Sequence, residues 1–198
     1  MTGIISLEIG VLADCCIRMI IREDSQNSLT VDHKLYQKIM LYSLLVGIWI
    51  ERCLLHWEWY GQLACGILAA YLLVASIQDI QSKEVYDFLH VMALPAGLIF
   101  VMAEPSKHKM ISLAVFAVVQ LGIFMRMYGA GDGLAFLVCA MFESRFGQGM
   151  LTYLFHMGAA YVLLAIVQGL KHNINKKGNL YEPVPFIPYI TATVWLFL

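Results

Sequence analysis

The chain has 198 residues, 60% of them hydrophobic and only 14% charged, with a mean hydropathy of +0.72. A soluble domain of this size carries roughly a quarter charged residues, so an ordinary water-soluble globule is excluded. The formal net charge of -1 offers no basic surface, which removes nucleic acid as a partner.

The apolar residues gather in blocks of about 15 to 20, near the length that crosses a bilayer core. In lipid the backbone N–H and C=O groups find partners only within a helix or a closed barrel. The expected fold is therefore all-α, an integral membrane protein built as a polytopic helical bundle. The N-terminal stretch MTGIISLEIGVLADCCIRMII has no basic start and no small-residue cleavage site, so it does not read as a signal peptide. Its charges, Glu8, Asp14 and Arg18, fall within one sector of about 120° on a helix, which predicts an interfacial helix, with a spanning segment as the alternative. The polar stretch REDSQNSLTVDHK reads as a solvated linker.

Apolar blocks follow at roughly 39–55, 62–78, 88–103, 110–127, 133–146, 150–169 and 184–198. The block at 133–146 is short, about 14 residues or roughly 21 Å of helix, so one end should lie below the membrane surface. With the N-terminus inside, nine cations share one side: Arg18, Arg22, Lys34, Lys38, Lys83, Arg126, Lys171, Lys176 and Lys177. The other four, Arg52, Lys107, Lys109 and Arg145, fall opposite. The positive-inside bias then places loops 79–87, 126–132 and 170–183 in the cytoplasm.

Few side chains suit metal or cofactor chemistry. Cys15, Cys16, Cys53, Cys65 and Cys139 form no C-x-x-C pair. The six histidines lack the spacing that sets two ligands on one helix face. No metal and no cofactor are expected. Gln120 and His156, polar groups inside apolar blocks, are expected to face the bundle interior and pair with another helix.

Two carboxylates arrive at the same membrane face on this topology. Asp79 ends one block in ASIQDIQSKEVYDF, and Asp132 opens another in YGAGDGLAF. Close aspartates share a proton, so that one can activate water while the other polarises a carbonyl. Gly129, Gly131 and Gly133 would permit positive φ and close approach of a backbone. Taken alone, each feature has a plainer reading: a glycine turn whose Asp caps the next helix, and a solvated helix end at Asp79.

Together the motifs resemble those of the type 4 prepilin peptidases and preflagellin peptidases, the GxGD membrane aspartic proteases. Asp79 followed by Lys83, Val85 and Asp87 is similar to the family's first motif, and Gly129-Ala130-Gly131-Asp132 to its second. Pro185-Phe186-Ile187-Pro188-Tyr189 is similar to the segment that opens its last helix. The resemblance covers residues 62–198 and implies a six-helix catalytic core. Residues 1–61 would then add about one transmembrane helix and the interfacial segment. It further implies that Asp79 and Asp132 form a catalytic dyad, with Gly129 and Gly131 as the motif glycines. The implied activity is cleavage of leader peptides from prepilin-like or pseudopilin substrates, at the cytoplasmic face of a cell membrane. Tyr86 stands where the family usually has proline, and Gly133-Leu134 replaces a common Val-Lys. The paired C-x-x-C motifs of larger members, associated with N-methylation, are not found here. These departures motivate the alternative expectation, a noncatalytic membrane scaffold that retains the fold.

Overall fold

The computed structural model describes residues 4–23, 33–53, 59–103, 105–123, 126, 128–144, 149–175 and 184–198. Among them are eight helices and no strand: α1 (Ile4–Glu23), α2 (His33–Cys53), α3 (Trp59–Ser82), α4 (Asp87–Ala103), α5 (Lys107–Gly122), α6 (Ala130–Glu143), α7 (Met150–Asn175) and α8 (Ile187–Val194). Each of the seven expected blocks coincides with one of α2 to α8, and α3 to α8 supply six helices after residue 58. The linker at 24–32 and most of the 170–183 loop lie outside the described residues.

Two helices form the centre. In α3 every residue from Leu68 to Asp79 is buried, and in α6 so is every residue from Ala135 to Ala140. Burial on every side means that other helices enclose both. Accordingly α3 packs against α1, α2, α4, α6 and α8, and α6 against α3, α4, α5, α7 and α8. Small residues set the spacing between neighbours. A methyl added to Gly97 of α4 would stand 2.9 Å from the sulfur of Met141 on α6, so glycine permits that approach. The helix α4 continues through Pro95.

The N-terminal helix packs on its neighbours through one face. Ile5, Ile9, Ala13, Ile17 and Ile20 recur at helical spacing and are buried, and this stripe docks α1 onto α2 and α3. Its charges do not share one solvated sector. Asp14 and Arg18 pair at 2.7 Å on the exposed side, whereas Glu8 turns inward against Gly66 of α3. Tertiary packing overrides the charge pattern here.

Among the described residues two helices are long and apolar enough to cross a membrane, Trp59–Ser82 and Met150–Lys171. The apolar stretch Asp87–Met102 is shorter. The final block forms a helix only over Ile187–Val194 before ending in turns.

Candidate active site

Asp79 lies in the last turn of α3 and is buried. The helix ends three residues later, where Lys83 adopts the left-handed conformation at φ 59° and donates its amide to the Asp79 carbonyl at 3.1 Å. That is a helix-terminating geometry usually filled by glycine. Side chains fasten the turn that follows. The Ser82 hydroxyl donates to the carbonyls of Gln78 and Glu84, both at 2.9 Å. The Tyr86 amide donates to the Gln78 side-chain carbonyl at 3.3 Å. Proline, usual at this point of the motif, has no amide hydrogen to give. Tyr86 therefore replaces a covalent restraint with a hydrogen bond.

The third motif explains how Asp79 is held. Phe186 is the N-cap of α8 and Ile187 its first residue, so the first amides of that helix have no intrahelical acceptor. The Ile187 amide donates to Asp79 Oδ2 at 2.8 Å. Along the same seam the Ser76 and Thr191 hydroxyls bond at 2.7 Å. The Phe186 ring is anchored among Tyr128, Phe136 and Tyr161, with centroids 6.1, 5.7 and 4.7 Å away.

Asp132 stands in the first turn of α6, ahead of that helix's apolar stretch, where a helix dipole favours an acid. Gly129 is the N-cap, so Asp132 itself is not the cap that a glycine turn suggests. Gly129 has φ -95° and ψ 161°, an extended conformation open to any residue, and Gly131 lies within the helix. Neither uses the positive φ expected of it. What Gly131 provides is room, because a methyl there would come within 3.7 Å of His90 Nε2 and 3.8 Å of Val85 Cβ. A methyl on Gly129 would lie 3.6 Å from Asp132 Oδ2.

The two aspartates are carried by the two central helices. Burial, and then the charge of Asp79, hold the Asp132 carboxyl above the ordinary carboxylate range. Tyr71, Tyr128 and Tyr161 also lie within electrostatic reach of Asp132. Such a pair can hold one proton between two carboxyl groups. Among the described residues no three His, Cys, Asp or Glu side chains gather as a metal site would require.

Two buried polar connections support α6. Gln120 of α5 donates to the Tyr128 hydroxyl and, at 3.4 Å, to the Gly133 carbonyl, which fits its expected interhelical role. His156 of α7 does more than pack. Its Nδ1 pairs with Glu143 of α6 at 2.5 Å, both side chains being essentially without exposure. Its Nε2 meets the Ile190 carbonyl of α8 at 3.3 Å. His156 thus spans the helix that bears Asp132 and the helix that holds Asp79. Sequence reading missed Glu143, although an acid near the end of an apolar block was its available signal.

Comparison with known families agrees with the motifs. The model of the Type IV leader peptidase family matches residues 66–170, just over half of the 198-residue chain. Asp79, Gly129, Gly131 and Asp132 fall inside the match, and Pro185–Tyr189 falls outside it. No curated protein and no solved structure matches the chain. On the strength of the family match, the chain belongs to the type IV leader peptidase family.

Proposed function

We propose that the chain is a membrane aspartic endopeptidase that removes leader peptides from type 4 prepilin-like proteins, with Asp79 and Asp132 as its dyad. Family membership implies a leader peptidase-like protease in general. The observation that carries the finer reading is the placement of Asp79 in the last turn of α3 and Asp132 in the first turn of α6, the two central helices, with the charge of Asp79 within electrostatic reach of Asp132. One carboxylate takes a proton from water as it attacks the scissile carbonyl, and the other, protonated, donates to that carbonyl's oxygen. Burial disfavours charge on the Asp79 carboxyl too, but the Ile187 amide offsets part of that penalty, so within the pair the charge favours Asp79. Asp132, held above its ordinary range, then supplies the proton.

The outer surface supports a polytopic membrane reading. Leu151, Phe155, Val162, Ile166 and Leu170 form an exposed stripe along α7, and Val91, Ile99 and Met102 do so on α4. Apolar surface this extensive suits lipid contact. A prepilin-like substrate has a short basic leader followed by a long apolar helix. With the helix in the bilayer and the leader at the cytoplasmic face, the junction meets the dyad. Glu84 and Asp87, beside Asp79 in sequence, are the acids suited to the leader's positive charge.

Co-expression with a prepilin-like protein tests this reading by mass spectrometry of the substrate. The expected product begins at the start of the apolar helix. A substrate that stays at full length beside folded enzyme would instead favour a scaffold that retains the fold.

A further inference from the structure

Three helices meet beside the GxGD segment, and each contributes to one small cluster. Tyr71 of α3 and His90 of α4 are both buried, and the Tyr71 hydroxyl lies 2.7 Å from His90 Nδ1. The other ring nitrogen, Nε2, is buried with no hydrogen-bond partner among the described residues. It faces Gly131 of α6, where an added methyl would stand 3.7 Å away and take up the space beside it. Asp132 follows Gly131 directly, and its charge reaches Tyr71.

Hydrogen-bond bookkeeping favours one of the two tautomers. A buried hydroxyl needs an acceptor for its hydrogen, and His90 Nδ1 is the one beside Tyr71. With Nδ1 accepting, the imidazole hydrogen sits on Nε2. A buried N–H left unmatched is destabilising, and a substrate that supplies a carbonyl recovers that loss on binding. Glycine at 131 leaves the space beside this buried nitrogen free of a side chain.

We propose that His90 is a substrate-binding residue, donating from Nε2 to a backbone carbonyl of the substrate segment that enters beside Gly131. This rests on the peptidase reading above. It assigns a recognition group that does not depend on the leader's charge, because every peptide substrate offers a backbone carbonyl.

Two near-isosteric substitutions separate donation to substrate from a bond to Tyr71. A glutamine amide nitrogen reaches the place of Nε2, whereas an asparagine amide occupies that of Nδ1. Purified variants would be assayed on a peptide spanning a basic leader and the start of an apolar helix. His90→Asn is expected to raise KM roughly tenfold, with kcat within about threefold. His90→Gln should stay close to wild type. The reverse order, or equal damage in both, would overturn the proposal. Gly131→Ala gives an independent check that does not perturb His90. Its methyl fits at van der Waals distance and alanine favours the helix, so the thermal midpoint should hold while KM rises by a similar factor. The two changes combined should add little further. An unchanged KM in folded Gly131→Ala would also overturn the assignment. Failure of the peptidase reading would show elsewhere, as Asp79→Asn cleaving like wild type.

Discussion

The Ile187 amide donates to Asp79 Oδ2 at 2.8 Å across a separation of 108 residues, joining the last turn of α3 to the first turn of α8. A sequence motif that opens a helix thereby becomes part of the support for an acid carried on another. The bond fixes one carboxylate oxygen and brings Phe186 against the aromatic residues around α6.

The burial of Asp132, together with the charge of Asp79, predicts a pH dependence of stability. Asp132 is held above its unfolded-state value, so folding favours its protonated form. That contribution is complete below the unfolded value, about 3.9, and is lost as pH rises through the raised one. Wild type should therefore lose thermal stability relative to Asp132→Asn as pH rises across this window. Unfolding midpoints of both proteins in detergent check it, and wild type gaining on the variant with pH would contradict it.

His156 braces α6 to α8, so its removal should matter more than replacement of both polar partners together. His156→Ala leaves the buried Glu143 carboxyl without its partner, which costs about 1–3 kcal/mol. The pair Glu143→Gln with His156→Gln keeps two neutral amides that can bond each other and should cost clearly less. Chemical or thermal unfolding of the two variants gives the comparison; equal losses would mean that the Glu143–His156 contact is not the brace.

Tyr86 offers a test of the motif's departure. Tyr86→Pro restores the usual family residue but removes the amide that meets Gln78, itself buried. The expected loss is about 1–2 kcal/mol. Adding Gln78→Leu removes the unmatched carbonyl and should recover part of that loss. Proline alone proving stabilising would show that the Gln78 bond contributes little.

The docking of α1 can be tested through Gly47 of α2. A methyl there would stand 2.9 Å from the Ser6 backbone, too near to accommodate without a shift. Gly47→Ala should destabilise by about 1–3 kcal/mol. No change in unfolding midpoint would mean that α1 lies away from α2 in the membrane.

The helices were legible because long apolar blocks favour helix, and the same blocks showed that Asp79 ends one helix and Asp132 opens another. Other features depend on residues that sequence does not place side by side. Glu143 and His156 sit on different helices, and each alone resembles an ordinary helix-end acid or a packing histidine. The inward turn of Glu8 depends on the glycine of another helix. Gly129 shows the opposite error: a glycine turn suggested positive φ, yet the chain enters α6 extended and uses the left-handed conformation at Lys83 instead. Glycine spacing signals room as readily as conformation.

The dyad itself is tested most directly by Asp79→Asn and Asp132→Asn, each reconstituted in lipid vesicles with a prepilin-like substrate. Asparagine keeps the side chain's size but cannot ionise. The account predicts that each variant inserts and folds while cleavage falls by at least about three orders of magnitude. Cleavage by either variant within about tenfold of wild type would contradict it.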